Sequence, residues 1–354
     1  MNGRPAGGGP AARGGVAYGA GGDGAAGAGP VVGGAAAHRG APAGPWDVRP
    51  LCTPRCAAHT APRVPFPGTA RRTAAFAEAV VRALADGPRL ADPARLRAHA
   101  RALLAALAID LDLRTPDTEP QPGRGPGPGP LTVRGPGPGP LTVRGPAHGA
   151  PGAGPHRGRR PAPGTLIVAN HISWLDIVAL LAVEPTTLLA KREVGGWPVV
   201  GGLARRAGTH FIDRTSPRQL PHTVRELAGL LAAGRSVAVF PQATTWCTAA
   251  RGAFRRATFQ AALDAGAPVR PVTVDYTQLG RPTTVAAFCG ADTFAASLRR
   301  VATARGLTVR VTVHPALPTA GRGPDRRTLA AAAERAVRGG RAAGRAGQAF
   351  GTYL

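Results

Sequence analysis

The chain has 354 residues and a formal net charge of +25, from 44 basic and 19 acidic side chains. Its 50 glycines and 37 prolines crowd into residues 1–68 and 116–163. This leaves about 240 residues that can pack, ample for one buried core. No run approaches the roughly 18 apolar residues of a transmembrane helix, so action at a membrane would be from its surface. The basic charge is almost all arginine, with Lys191 the single lysine, and its physical effect is attraction to an anionic membrane or to nucleic acid. Aromatic residues are only 5% of the chain and are not interleaved with the basic ones, which argues against nucleic acid.

Residues 1–68 read as a disordered Gly/Ala/Pro-rich arm, in which Trp46, Val64 and Phe66 offer loose packing over 46–67. Residues 1–50 lack the apolar stretch of a secretory signal, so a reducing, cytoplasmic setting is expected for Cys52, Cys56, Cys247 and Cys289. The cluster Cys52-x3-Cys56-x2-His59 has metal-ligand residue types. It lies in a Pro-rich stretch without a second ligand pair and reads as incidental.

Residues 69–115 read as two amphipathic helices and an edge strand. Thr69 to Ala85 puts Phe76, Val80, Val81 and Leu84 on one side, and Gly87-Pro88 stops it. Pro93 to Leu107 sets Leu96, Leu103 and Leu104 opposite Arg95, Arg97 and Arg101. Such helices either lie on anionic lipid or cover a sheet, and the pattern suits both. The run 107–114 alternates apolar and charged residues as an edge strand does. In 116–163 the unit GPGPGPLTVR at 125–134 recurs at 135–144. Two Gly-Pro units cannot build a solenoid, so this is read as a flexible insertion.

From 164 to 320 strands and helices alternate. A strand at Thr165–Ala169 meets a helix at Trp174–Val183 with Ser173 as its N-cap. Thr187–Ala190, Val237–Phe240, Val269–Tyr276 and Leu307–His314 follow as strands. Pro221–Ala233 and Phe254–Ala265 read as helices stopped by Gly234 and Gly266, and Asp292 as the cap of a helix reaching Arg305. Residues 321–354 hold a closing helix near Thr328–Val337 and a tail. This is an α/β pattern: a mixed, mainly parallel central sheet flanked by helices, with N-terminal amphipathic helices.

The chemistry centres on His171 and Asp176. Five residues apart, they cannot share one helix face. With His171 in the loop before the helix, however, the chain can fold back so that Asp176 meets the ring. A carboxylate on one imidazole nitrogen fixes the tautomer and leaves the other nitrogen as a general base. Trp174, Trp197 and Trp246 read as packing or interfacial anchors.

Four blocks stand in order on strand ends and loops: Asn170-His171-x4-Asp176, Gly208-x2-Phe211-Ile212-Asp213-Arg214, Phe240-Pro241-Gln242-Ala243-Thr244, and Pro268-Val269-Arg270-Pro271-Val272. In these the sequence resembles the 1-acyl-sn-glycerol-3-phosphate acyltransferase family, over about residues 164 to 320. The resemblance implies an O-acyltransferase in which His171 takes the proton from an acceptor hydroxyl as it attacks the thioester of acyl-CoA or acyl carrier protein, with Asp176 steadying the imidazolium. No cofactor or metal is then needed. The resemblance further implies that Arg214 holds the acceptor's phosphate, with Lys191 as a second cation. Asn170, Gly208, Phe211, Asp213, Pro241, Gln242, Ala243, Thr244 and Pro271 would shape the substrate site. The implied acceptor is a lysophospholipid, and the implied location is peripheral, at the cytoplasmic face of the cell membrane. Where the family has Glu-Gly, this chain has Gln242-Ala243. The expectation is altered acceptor binding, as in a feebler enzyme or one using an aminolipid or glycolipid. A non-catalytic protein binding anionic lipid or nucleic acid is the alternative of another class.

Overall fold

The computed structural model of the chain describes residues 48, 50–115, 162–212, 217–250, 252–320 and 325–339. The expectations for residues 1–47, Trp46 included, and for the tandem repeat lie outside these residues, as do Asp213 and Arg214.

Residues 50–65 differ from the loose arm expected of their composition. Cys52 is 2% exposed within the main core, and Pro54–Cys56 form a short 3-10 turn. Backbone groups of this stretch find distant partners: Thr60 N donates to Gln278 Oε1 (3.0 Å) and Val64 N to Thr303 O (2.9 Å). Tertiary partners supply what a Pro-rich segment cannot supply locally. Helix α1 (Phe66–Ala85) begins three residues earlier than its periodicity suggests, because Pro67 fits the first turn of a helix.

Helix α2 (Pro93–Ala106) starts at the Asp92 cap, whose side chain accepts from Arg95 N. The apolar faces of α1 and α2 are spent on the core. Phe76 meets the Trp174 ring edge-on at 5.9 Å, and Leu96, Ala100 and Leu104 are buried. Of the two readings of these helices, the structure takes cover for the sheet. Phe66 and Val81 are the large apolar side chains α1 leaves exposed.

The remaining elements run β1 (Asp110–Arg114), β2 (Leu166–Ala169), α3 (Trp174–Val183), β3 (Thr187–Lys191), α4 (Arg192–Gly195), α5 (Val200–Arg206), β4 (His210–Ile212), α6 (Leu220–Ala232), β5 (Val237–Val239) and α7 (Ala257–Ala265). They continue as β6 (Val269–Gln278), the two-residue β7 (Arg281–Pro282), α8 (Phe294–Ala302), β8 (Leu307–Val313) and α9 (Arg326–Gly339). One mixed sheet takes the order β1-β8-β6-β2-β5-β3-β4, with β7 paired to β6. Strands β6, β2, β5, β3 and β4 are mutually parallel, β8 is antiparallel to β6, and β1 runs parallel to β8. The mixed, mainly parallel sheet expected from the sequence is therefore the one observed.

Strand β2 is buried on both faces, as a central parallel strand should be. Its Ile167 and Ala169 join the core under α1–α3, while Leu166 and Val168 join the core under α6, α7 and α9. One helix start differs from expectation. Thr293, not Asp292, caps α8, its side chain accepting from Ala296 N. Asp292 is 5% exposed and pairs instead with Arg300 (2.5 Å), an arginine that also donates to the carbonyls of Val285 and Ala287. A buried carboxylate takes a charged partner in preference to a cap position open to water.

Candidate active site

Strands β2, β5, β3 and β4 all point the same way, so their C-terminal ends share one edge of the sheet. Three of the four sequence blocks leave from these ends. The fourth lies on β6, beside β2.

At the end of β2 the chain turns sharply before α3. Asn170 makes the turn rigid: it is fully buried, its amide donates to Val274 O (2.9 Å), and its carbonyl accepts from Val274 N (2.8 Å). The substrate contact expected of Asn170 is thereby replaced by a latch to β6, because a buried amide at a strand end must satisfy both its polar atoms. Next comes His171, then the N-cap Ser173, whose hydroxyl accepts from Leu175 N while the Asp176 carboxylate reaches back to Ser173 N (2.9 Å). This is a capping box built with an aspartate.

The same carboxylate holds the histidine. Asp176 Oδ2 accepts from His171 Nδ1 (2.8 Å), Ile172 N (2.6 Å) and Ser173 N (2.9 Å). Its other oxygen accepts from the Tyr276 hydroxyl (2.6 Å). Asp176 is fully buried, and these donors satisfy both of its oxygens. As an acceptor among donors it places the imidazole proton on Nδ1 and leaves the Nε2 lone pair available. The Tyr276 phenol is pushed well above its ordinary value by burial and by the Asp176 charge beside it, so it stays a donor.

The ring of His171 is 18% exposed and stacks on Phe240, with centroids 4.0 Å apart and planes at 18°. Three peptide bonds of this turn are held from outside. Gln242 Oε1 accepts from His171 N (2.6 Å), Trp246 N donates to His171 O (2.8 Å), and Phe288 N donates to Ile172 O (2.9 Å). Main chain and side chain are both immobilised, which is what a general base needs to meet a proton at fixed geometry.

The other expected residues take different places. Gln242 is 2% exposed and supports His171 through its backbone bond, so its first effect is on the turn. Ala243 adopts φ +62°, the left-handed conformation that a glycine accepts without strain. Pro241 is buried and its carbonyl accepts from Arg255 N (2.9 Å), while Thr244 is half-buried. Pro271 lies inside the sheet, opposite Val168 in register, where it is packing and not a wall of an open pocket. Gly208 carries φ +71° just after α5, and Phe211 packs its ring on Gly195. Both shape the α5–β4 turn. Lys191 is exposed at the end of β3, opposite Ile212 in register. Trp174 packs between Phe76 and Phe294 and donates to Ser297 Oγ (3.1 Å).

Two residues of the site escape the sequence reading. Phe240 is visible in its motif, and its apolar type suggests only core. Tyr276 stands at an alternating position of β6, and nothing local marks it as a partner for Asp176.

Parts of the chain are similar to known proteins. A family model described as Acyltransferase matches residues 155–275. The chain is 38% identical over 147 residues to a 1-acyl-sn-glycerol-3-phosphate acyltransferase of Neisseria meningitidis serogroup B, covering 41% of this chain and 57% of that protein. It is 39% identical over 173 residues to a lyso-ornithine lipid O-acyltransferase of Pseudomonas aeruginosa, covering 49% of this chain and 66% of that protein. The chain thus spans less than two thirds of the length of these curated relatives. A crystal structure of the 1-acyl-sn-glycerophosphate acyltransferase of Thermotoga maritima aligns with a TM-score of 0.47 at 18% identity, over 73% of this chain and 81% of that one.

Proposed function

From the match of an Acyltransferase family model to residues 155–275 and the similarity to these lysolipid enzymes, we propose that the chain is an acyltransferase that transfers a fatty acyl group from a thioester donor to a lysolipid hydroxyl. The observation that carries the reading is the 2.8 Å bond between His171 Nδ1 and a buried Asp176 that is saturated with donors. His171 Nε2 takes the proton from the acceptor hydroxyl as its oxygen attacks the thioester carbonyl. The tetrahedral adduct collapses, the carbon–sulfur bond breaks, and the imidazolium returns the proton to the leaving thiolate. Products are the ester and a free thiol, from coenzyme A or acyl carrier protein. Asp176 stabilises the transient imidazolium, and the Phe240 face stacked on it adds a cation–π contribution.

The acceptor we favour is a lysophospholipid such as 1-acylglycerol-3-phosphate. Its phosphate would sit at the ends of β3 and β4, where Lys191 stands and Arg214 follows two residues after Ile212. A zwitterionic aminolipid is the second reading. Its support is Gln242 in place of the motif's glutamate, together with relatives named for lyso-ornithine lipid. No helix among the described residues is long and apolar enough to cross a membrane. With a net charge of +25, peripheral attachment to the anionic cytoplasmic face of the cell membrane is part of the same proposal.

The test is an acceptor screen. Purified protein is incubated with acyl-CoA or acyl carrier protein and with lysophosphatidate, lyso-ornithine lipid or other lysolipids; free thiol is measured and products are weighed by mass spectrometry. Thiol release with one acceptor class, lost in His171→Ala, is expected. Absence of release with every acceptor, or release that survives the substitution, overturns the assignment. Gln242→Glu is run beside it: a large gain with lysophosphatidate would mark the native chain as built for another acceptor.

A further inference from the structure

Three cysteines from two distant stretches of the chain meet in one place, and the fourth is buried beside them. The sulfurs of Cys52, Cys56 and Cys247 lie within 4.8 Å of one another, with Cys52 Sγ and Cys247 Sγ 3.4 Å apart. Cys289 lies beside the group: it is 1% exposed and shares the same core cluster as Cys52 and Cys247. The next residue, Gly290, runs so close that an added Cβ would lie 3.1 Å from the Cys52 carbonyl oxygen. None of the four is in a disulfide. The sequence groups Cys56 with His59, but His59 faces Thr303, its Nε2 3.4 Å from the hydroxyl. Cys247 brings a third sulfur beside Cys52 and Cys56 that the sequence did not show.

We propose that Cys52, Cys56 and Cys247 bind one structural zinc ion, with Cys289, buried beside them, drawn in as the fourth ligand, and that the site is fastened to the loops that hold His171. A tetrahedral zinc with Zn–S bonds of about 2.3 Å sets its sulfurs about 3.8 Å apart, and the separations among Cys52, Cys56 and Cys247 bracket that spacing. Cys52-x3-Cys56 has the ligand spacing of a structural zinc half-site, and four soft sulfur donors select zinc over the hard cations. A cavity of about 160 Å³, lined by Cys247, Thr60, Ile172 and Tyr276 among others, gives the ion an approach.

The position gives the site its consequence. Cys247 directly follows Trp246, which holds the His171 carbonyl, and Cys289 directly follows Phe288, which holds the Ile172 carbonyl. The Thr245 hydroxyl also donates to Phe288 O, joining the two loops to each other. One ion would therefore pin the segment around Cys52 and both loops at a single point, one residue away from the bonds that fix the catalytic turn. This role is independent of which acceptor the enzyme uses.

The test uses the full chain, purified under reducing conditions without chelator, with zinc measured by mass spectrometry of the elements. About one zinc per chain is expected. Cys247→Ser and Cys289→Ser should each lower zinc retention against a chelator by about tenfold or more. Because a serine variant can fail to fold, the apo form of the unaltered protein is also titrated with cobalt. The intense visible bands of a tetrahedral tetrathiolate should appear and be erased by one equivalent of zinc. Negligible zinc together with no such bands overturns the proposal. So does a Cys52–Cys247 disulfide found by mass in protein kept reduced.

Discussion

Tyr276 donates its hydroxyl at 2.6 Å to the one oxygen of Asp176 that His171 does not use, across a separation of 100 residues in sequence. The phenol and the imidazole thus share one carboxylate, and in the proposed mechanism the charge of Asp176 is divided between a permanent donor and a ring that gains a proton. Tyr276→Phe leaves a fully buried carboxylate oxygen without its donor. The expected loss is about 1–3 kcal/mol of stability, read by urea unfolding. A kcat lower by roughly tenfold should accompany it with little change in KM, because the bond positions the base and does not touch the acceptor.

Asp176→Asn separates charge from geometry. The amide oxygen can still accept the backbone N–H groups of Ile172 and Ser173, and its nitrogen can face the Tyr276 oxygen. The imidazolium, however, loses its counter-charge. A kcat reduced by about 10²–10⁴-fold with a folded, cooperative thermal transition is expected. An equal loss in Asp176→Ala combined with a collapsed transition would show the second function of the residue, the capping of α3.

Ala243 occupies φ +62° at the turn that carries Gln242. A Cβ in this conformation costs about 1–2 kcal/mol, more than the entropy a glycine adds. Ala243→Gly should raise stability by roughly 0.5–1 kcal/mol, seen as a higher Tm. A lower Tm would mean that the methyl group makes contacts outweighing the strain.

Acid should loosen the sheet edge first. Burial opposes ionisation of Asp112, but Arg310 and Arg114 outweigh it and hold its carboxyl below the ordinary 3.8. A group whose folded value is depressed contributes stability above its unfolded value and loses it as pH falls through the folded one. The β1–β8 pairing should therefore weaken below about pH 4, as Asp112 protonates and releases Arg310 (2.8 Å). Hydrogen exchange of β1 amides at pH 3 against pH 6 reads this directly, and Asp112→Asn should flatten the difference.

Much of the fold was legible because its punctuation is local. Ser173 fixes the start of α3 and Gly266, at φ +61°, ends α7, so both signals work without tertiary context. The pairing of His171 with Asp176 was legible for the same reason: five residues and one cap decide it. The exceptions all depend on long-range register. Asn170 reads as a substrate ligand until β6 supplies Val274 opposite it. Tyr276 reads as core until the same strand brings it under Asp176. Residues 50–65 read as an arm until Gln278 and Thr303 answer their backbone groups. The cysteines are the extreme case, since Cys52 and Cys247 are 195 residues apart and no periodicity connects them.

The strand order also governs what is free to change. Because β1 runs opposite in direction to β2, the chain leaves Arg114 heading toward the end of the sheet at which Leu166 begins. Three strand spacings sideways and four residues along make a gap of about 20 Å. Roughly six to eight extended residues would bridge it. The architecture therefore sets only a short minimum on the connection between these strands. Its actual length is a degree of freedom on which no pairing among the described strands depends.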